Sequence, residues 1–496
     1  MTTTQDLSQR IAGLSPQQRE LLLQQLKQKA GLTYRSASAT EKNPADSLDL
    51  AKEAELDPSI QPMAVPGQFC TRPKTVFLTG GTGFLGAFII AELMKQTSAA
   101  IYCLVRAKSS EDGKARIQKN LQSYGIWQAD FGDRIIPVLG DLASPQFSLS
   151  AAEFHQLACD IDVIYHCAAS LNFVFPYTAL KAMNVTATED VIRLASQVRR
   201  KTVHYMSSVS VFESHAYAGK TVDETDLLDH HDGMFLGYAQ TKWVAEKLML
   251  AARSRGLPVC IYRLPFISGD SNTGAWNTED FTCLAIKGCM IMGAAPLLDY
   301  WVYNCPVNYA SEAIAFLAQQ PQSAGKVFHL MNPYPATSEQ VNAWDRAIDS
   351  PVKYLPYQEW QAQLARDVTT PDHPLFSLRS FFLEPFTDEQ LSIPELYTRD
   401  RTPVFDCTAT LDALRGSGIH CQPISPALSA TYFDYFLRQG MLSADDFGQE
   451  AIAKFRFFFR LQRLAQKLSL KRAIVTLRDG FDFVAWKRIN LANFTS

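Results

Sequence analysis

From Lys74 onward the chain alternates between short unbroken apolar runs and longer segments in which apolar positions recur with helical period. The runs are 75–79, 100–105, 135–139, 163–165, 202–206 and 259–262, rich in β-branched residues and bounded by glycine or polar turns. Runs this short, with no polar face, suit strands buried on both sides, and the segments between them suit crossover helices. Strands alternating with helices predict an α/β fold, a doubly wound parallel sheet of the Rossmann type. Past about Asn272 the alternation breaks down, and proline and aromatic residues scatter through 275–442, as suits a smaller C-terminal lobe closing over a substrate.

The two ends differ from this body. Ser15-Pro16-Gln17-Gln18 reads as an N-cap, a first-turn proline and a capping-box glutamine, followed by Leu22, Leu23 and Leu26 and stopped at Gly31. Toward the other end, 451–478 carries Lys454, Arg456, Arg460, Arg463, Lys467, Lys471, Arg472 and Arg478 and no acid, which predicts a basic aromatic helix. That helix is read as lying on an anionic membrane, docking an acidic carrier protein or packing on the second lobe. The expected organisation is an N-terminal helical appendage and linker at 1–73, a dinucleotide-binding domain at 74–275 with a contribution from 300–332, a substrate lobe at 276–442 and a basic tail at 443–496.

Composition narrows the function. At 496 residues the chain exceeds a single core, and its 47% apolar and 20% charged residues are those of a folded globular protein. A net charge of -3 gives no general attraction to nucleic acid. The ten cysteines form no Cys-x-x-Cys pair and sit in apolar surroundings, so free thiols are expected. Neither a leader pattern nor a run long enough to span a bilayer is found, which points to the cytoplasm.

Chemistry concentrates at the ends of the runs. The first continues into Thr79-Gly80-Gly81-Thr82-Gly83-Phe84-Leu85-Gly86, between strand and helix. Glycines there let backbone N–H groups approach a pyrophosphate while the helix N-terminus faces its charge, so Thr79, Gly80, Thr82, Gly83, Phe84 and Leu85 are assigned to a dinucleotide. The second run ends Leu104-Val105-Arg106-Ala107-Lys108, with cations where an NAD site would place a carboxylate, and Arg106 therefore selects NADPH through its 2′-phosphate. Asp141, closing the third run, is either a partner for the adenine amino group or an ordinary turn aspartate.

Hydride transfer to a carbonyl needs a proton donor, and a tyrosine one helical turn from a lysine supplies one if the cation depresses its pKa. Two such pairs occur, Tyr177/Lys181 and Tyr238/Lys242. Spacing does not separate them. Tyr238 follows a strand ending in Met206-Ser207-Ser208, where a serine hydroxyl can hold the substrate oxygen, whereas Tyr177 has no such partner upstream. Tyr238, Lys242 and one of the two serines are thus the expected machinery. His166 reads as a packed structural histidine, and His230-His231 lacks ligand spacing, so no metal is expected.

In this order these motifs resemble the extended short-chain dehydrogenases, and more narrowly the thioester reductase domains that terminate polyketide and nonribosomal peptide assembly lines, relatives of carboxylic acid and fatty acyl reductases. The narrower resemblance rests on Cys103-Leu104-Val105-Arg106-Ala107, on 269–277, on Leu56-Asp57-Pro58-Ser59-Ile60 and on 401–407. It implies Ser208, Tyr238 and Lys242 as catalytic residues, with Ser208 where the family often has threonine. It also implies cofactor contacts at Arg116, Leu142, Ala168 and Asn184. The implied activity is NADPH-dependent reduction of an acyl thioester to an aldehyde, or onward to an alcohol, with the substrate on an acyl or peptidyl carrier protein or on CoA. Tyr262-Arg263-Leu264-Pro265-Phe266 departs from the Pro-Gly that relatives often carry after the arginine. Two other readings fit the scaffold: a sugar-nucleotide epimerase or dehydratase, and an NADP-binding protein without catalysis.

Overall fold

Strand β1 (Thr75–Thr79) lies in the interior of a seven-stranded parallel sheet. With β2 (Ala100–Val105), β3 (Ile135–Leu139), β4 (Val163–His166), β5 (Thr202–Ser208), β6 (Val259–Leu264) and β7 (Val327–His329), the order across the sheet is β7-β6-β5-β4-β1-β2-β3. The order reverses between β1 and β4, and in a doubly wound sheet the crevice beyond the carboxyl ends at that point holds the ligand. This computed structural model describes residues 48–63, 69–347, 352–386 and 390–442. The expected helix after Ser15 and the expected basic helix at 451–478 lie outside them.

The apolar runs match the strands closely. Strands β5 and β6 each run two residues further than their runs because they continue to pair, Ser207 with Arg263 and Ser208 with Leu264. Strand β7 is three residues long and ends in a buried histidine, too short and too polar to register as an apolar run. Helices cover both faces. Val163 and Tyr165 join one core with Ile90 of α1 (Phe84–Gln96), while His166, pointing the other way by strand alternation, bonds Thr188 of another helix, Ala187–Ser196.

Beyond the sheet, short strand pairs build the lobe: Thr221–Val222 with Val404–Phe405, and Ala294–Leu297 with Lys353–Pro356. A buried knot ties it to the sheet edge. The Glu224 carboxylate accepts from Thr410 N at 2.8 Å and Thr410 Oγ1 at 2.6 Å, and Thr410 Oγ1 accepts from His329 N of β7 at 2.9 Å. The segment before β1 is strapped down by Arg255, whose guanidinium donates to the carbonyls of Leu56, Asp57 and Ile60 at 2.7 Å each. All ten cysteines are free thiols. Among the described residues no helix is long and apolar enough to cross a membrane.

These elements belong to one compact unit, running from Asp49 to Glu384 and again from Ser392. Of the other unit, the segment Pro385–Leu391 is partly described, and in it Phe386 N donates to Leu391 O at 2.7 Å.

Candidate active site

The glycine turn after β1 is shaped by close approaches that only glycine permits. Gly80 has φ +84°, and a Cβ there would meet Ala168 N at 2.8 Å; one on Gly86 would meet Gly80 O at 2.1 Å. At the N-cap of α1, Gly83 makes no side-chain hydrogen bond to the first turn, so the helix N-terminus is left bare on an exposed Thr82-Gly83 edge. Bare N–H groups on a glycine-walled turn are the donor set a pyrophosphate needs, and the loop fits a dinucleotide. The turn is braced by Asn120, whose Nδ2 donates to Gly83 O at 3.2 Å and Gly81 O at 3.4 Å. Sequence reading missed Asn120; its signal was its place one helical turn after Arg116 on α2 (Ser110–Ser123).

Arg106 leaves the end of β2 exposed, and Arg116 is exposed on α2; neither makes a side-chain hydrogen bond or ion pair among the described residues. Asp141 accepts from Ala143 N at 3.1 Å, the turn-aspartate arrangement, and Leu142 beside it is buried.

His166 is structural. Its Nδ1 pairs with Thr79 Oγ1 at 2.8 Å and its Nε2 with Thr188 Oγ1 at 3.1 Å, and burial, with the Lys242 charge adding to it, drives its pKa down to about 3, leaving it neutral. Thr79 Oγ1 also accepts from Ala168 N at 3.2 Å, which joins the ends of β1 and β4. Asn184 lies in a π-helical turn, Ala182–Thr186, and its side-chain amide is committed: Oδ1 accepts from Ser170 N at 2.7 Å, and Nδ2 donates to Ser170 O at 3.2 Å and Thr241 Oγ1 at 3.0 Å. Asn184 thus ties the loop after β4 to the helix carrying Tyr238.

That helix, here α3 (Gly237–Ser254), presents Tyr238 and Lys242 one turn apart at the carboxyl end of β5. Ser208 lies beside the Tyr238 hydroxyl, close enough to pull against the rise in its pKa, and Ser208 Oγ accepts from Ser210 N at 3.2 Å and Ser210 Oγ at 2.9 Å. Ser207 is committed elsewhere, donating to the Glu246 carboxylate. Lys242 Nζ donates to Met206 O at 2.7 Å and lies 4.3 Å from the centre of the Tyr205 ring.

The expectation that Lys242 depresses the Tyr238 pKa is corrected by this geometry. Burial pushes the Tyr238 hydroxyl up to about 12 against the smaller pull of Ser208, and burial drives Lys242 down to about 7 against the nearby Glu246. The reason is that the lysine's short bond goes to a backbone carbonyl and both groups are shielded from water. A tyrosine held protonated is the form that donates a proton when a carbonyl is reduced.

Two further residues escaped the sequence reading. Glu246, a second turn along α3, forms a fully buried ion pair with Arg263 of β6 at 2.8 Å, and Arg263 also reaches His329 Nε2 at 3.2 Å. The four-residue spacing of Tyr238, Lys242 and Glu246 was the available signal. The second tyrosine-lysine pair is spent differently: Tyr177 Oη donates to Glu53 at 2.7 Å and Lys181 Nζ to the same carboxylate at 2.9 Å. His231 stacks on Trp243, and no metal-binding cluster occurs among the described residues.

A parallel seven-stranded sheet, a glycine cradle at its reversal point and a serine, tyrosine and lysine at the end of β5 define a nicotinamide-dependent reductase scaffold of the extended short-chain dehydrogenase type. Residues 78–314 match the NAD-binding family described as Male sterility protein. Among solved structures, the terminal R domain from the myxalamid PKS-NRPS biosynthetic pathway is 39% identical, with a TM-score of 0.73 over 80% of this chain and 98% of that one. The chain belongs to the family of terminal reductase domains of polyketide and nonribosomal peptide synthetases. A linear gramicidin synthase of Brevibacillus parabrevis is 37% identical over 80% of this chain, and the aldehyde reductase lnaA of Aspergillus flavus is 32% identical over 76%. The chain spans 8% and 38% of those two proteins.

Proposed function

We propose that the protein reduces an acyl thioester, carried on a carrier protein or on CoA, to an aldehyde at the expense of NADPH, with reduction to the alcohol as a second turn of the same site. The observation that carries this reading is the Ser208–Tyr238 pair beside the buried Lys242 amine, at the same end of the sheet as the glycine turn. When bound, the dinucleotide supplies hydride to the carbonyl carbon. Tyr238 and Ser208 hold the carbonyl oxygen and stabilise its developing charge, and Tyr238 gives it a proton. The tetrahedral hemithioacetal then breaks its C–S bond, releasing the thiol and the aldehyde. Lys242, anchored on Met206 O, would hold the nicotinamide ribose hydroxyls. Asn184 positions α3 through Thr241, and Arg106 and Arg116 are the cations available to a 2′-phosphate. A carrier protein as the delivering partner accords with the chain's kinship to terminal reductase domains.

The test follows NADPH consumption over a panel of acyl-CoA and carrier-bound acyl thioesters. Tyr238→Phe is expected to lower kcat by about 100-fold or more. Arg106→Ala is expected to raise KM for NADPH by about 10-fold or more while changing KM for NADH little. Full activity in Tyr238→Phe, or no turnover of any thioester by the wild type, refutes the reading.

A further inference from the structure

Strand β6 pairs Leu264 with Ser208, so the chain leaving the sheet at Pro265-Phe266 emerges beside the catalytic serine. Phe266 is 52% exposed there, although a phenyl ring gains by burial. Its neighbours are aromatic. Phe173, from the loop after β4, sets its edge against the Tyr238 ring at 5.7 Å and lies 5.8 Å from Phe266 and 5.5 Å from Phe281. Phe281 opens the helix Phe281–Met292 and lies 4.7 Å from Phe381, behind which Phe382 rests against the fully buried Trp360 at 5.0 Å. Four separate stretches of chain thus bring rings to one wall, closed at its base and open at Phe266. Val174 and Phe175, 43% and 44% exposed, lie on the same loop as Phe173. No Lys or Arg stacks on Phe173, Phe266, Phe281 or Phe381 among the described residues.

We propose that this wall receives the acyl group of the substrate, and that the group is uncharged and apolar over its first several carbons, alkyl or aryl. This rests on the thioester-reductase reading of Tyr238. Between the reacting carbonyl and solvent the acyl chain meets rings on which no cation stacks, so a carboxylate several carbons along the acyl chain would lose its water there unpaired. An apolar chain gains by covering Phe266.

The experiment measures kcat/KM for octanoyl, benzoyl, acetyl and succinyl thioesters of N-acetylcysteamine, which keeps the thiol constant, with NADPH in excess. Octanoyl is expected to exceed succinyl by about tenfold or more. Phe266→Ala, a change at a half-exposed position, is expected to lower the octanoyl-to-acetyl ratio by about tenfold, and Phe266→Leu to restore most of it. Succinyl turned over as well as octanoyl, or a ratio unmoved by Phe266→Ala, overturns the proposal and leaves the thioester reading standing. No turnover of any thioester by a protein that still binds NADPH overturns both.

Discussion

Ser207 and Ser208 are neighbours in the chain and take different partners: the first satisfies the buried Glu246 carboxylate, the second meets the Tyr238 hydroxyl. Substitution is expected to separate the two roles. Ser208→Ala should lower kcat by about 100-fold with little change in melting temperature, since it removes the hydroxyl proposed to hold the reacting oxygen. Ser207→Ala should do the reverse, costing about 1–3 kcal/mol of stability by leaving a buried carboxylate short of a donor. Steady-state kinetics and thermal melts on the same two proteins decide it, and a catalytic loss confined to Ser207→Ala would reverse the assignment. At this scale the sequence was informative where a residue's partner lay nearby in the chain. The strand ending in serines favoured Tyr238 over Tyr177, but the residues alone left the two serines open and only the family resemblance pointed to Ser208, because the partner of Ser207 lies 39 residues away on α3.

Helix α3 carries Tyr238, Lys242 and Glu246 on a single face, and its entry is fixed by a glycine. A Cβ on Gly237 would meet Phe175 O at 2.4 Å and Tyr177 N at 2.5 Å, so the loop before Tyr177 lies directly against the helix start. Gly237→Ala is expected to shift the first turn and with it the Tyr238 hydroxyl. A displacement near 1 Å costs about 100-fold in rate. The expected signature is a fall in kcat with dinucleotide affinity retained, measured by turnover and by direct NADPH titration; wild-type kcat would show that the helix start yields freely. The strands of the sheet were legible because buried parallel strands need unbroken apolar runs. Strand β7 was not, since a three-residue strand offers only Val327 and Phe328 as an apolar signal and is held as well by Arg263, Thr410 and the neighbouring backbone.

Across the whole molecule the buried titratable groups set the response to acid. His166, His204 and His329 each have their pKa driven down to about 3, chiefly by burial. Between that value and the unfolded value near 6.5 the unfolded chain binds more protons. Stability from these histidines is therefore full above about pH 6.5 and is lost as pH falls toward 3, with a slope of up to about 1.4 kcal/mol per pH unit for each. Glu213 acts in the opposite sense: burial raises it to about 7, so it favours the folded state as pH falls from 7 to 4.5 and offsets part of the loss. The urea midpoint is expected to drop between pH 7 and pH 5, and an unchanged or rising midpoint would contradict neutral buried histidines. Of the nine histidines, only His166 was read from the sequence as packed; His204 and His329 were not, because burial and not spacing makes them matter.

The knot of Glu224, Thr410 and His329 has a kinetic consequence. Within the knot, His329 of β7 reaches the lobe twice, through its N–H to Thr410 Oγ1 and its Nδ1 to Asp406 O, and swinging the lobe away as a rigid body would break both together. Motions of that kind occupy microseconds to milliseconds, whereas a half-exposed ring turns in picoseconds to nanoseconds. With the lobe latched, admission past the half-exposed ring of Phe266 needs only a side-chain rotation, and it is expected to be fast relative to turnover.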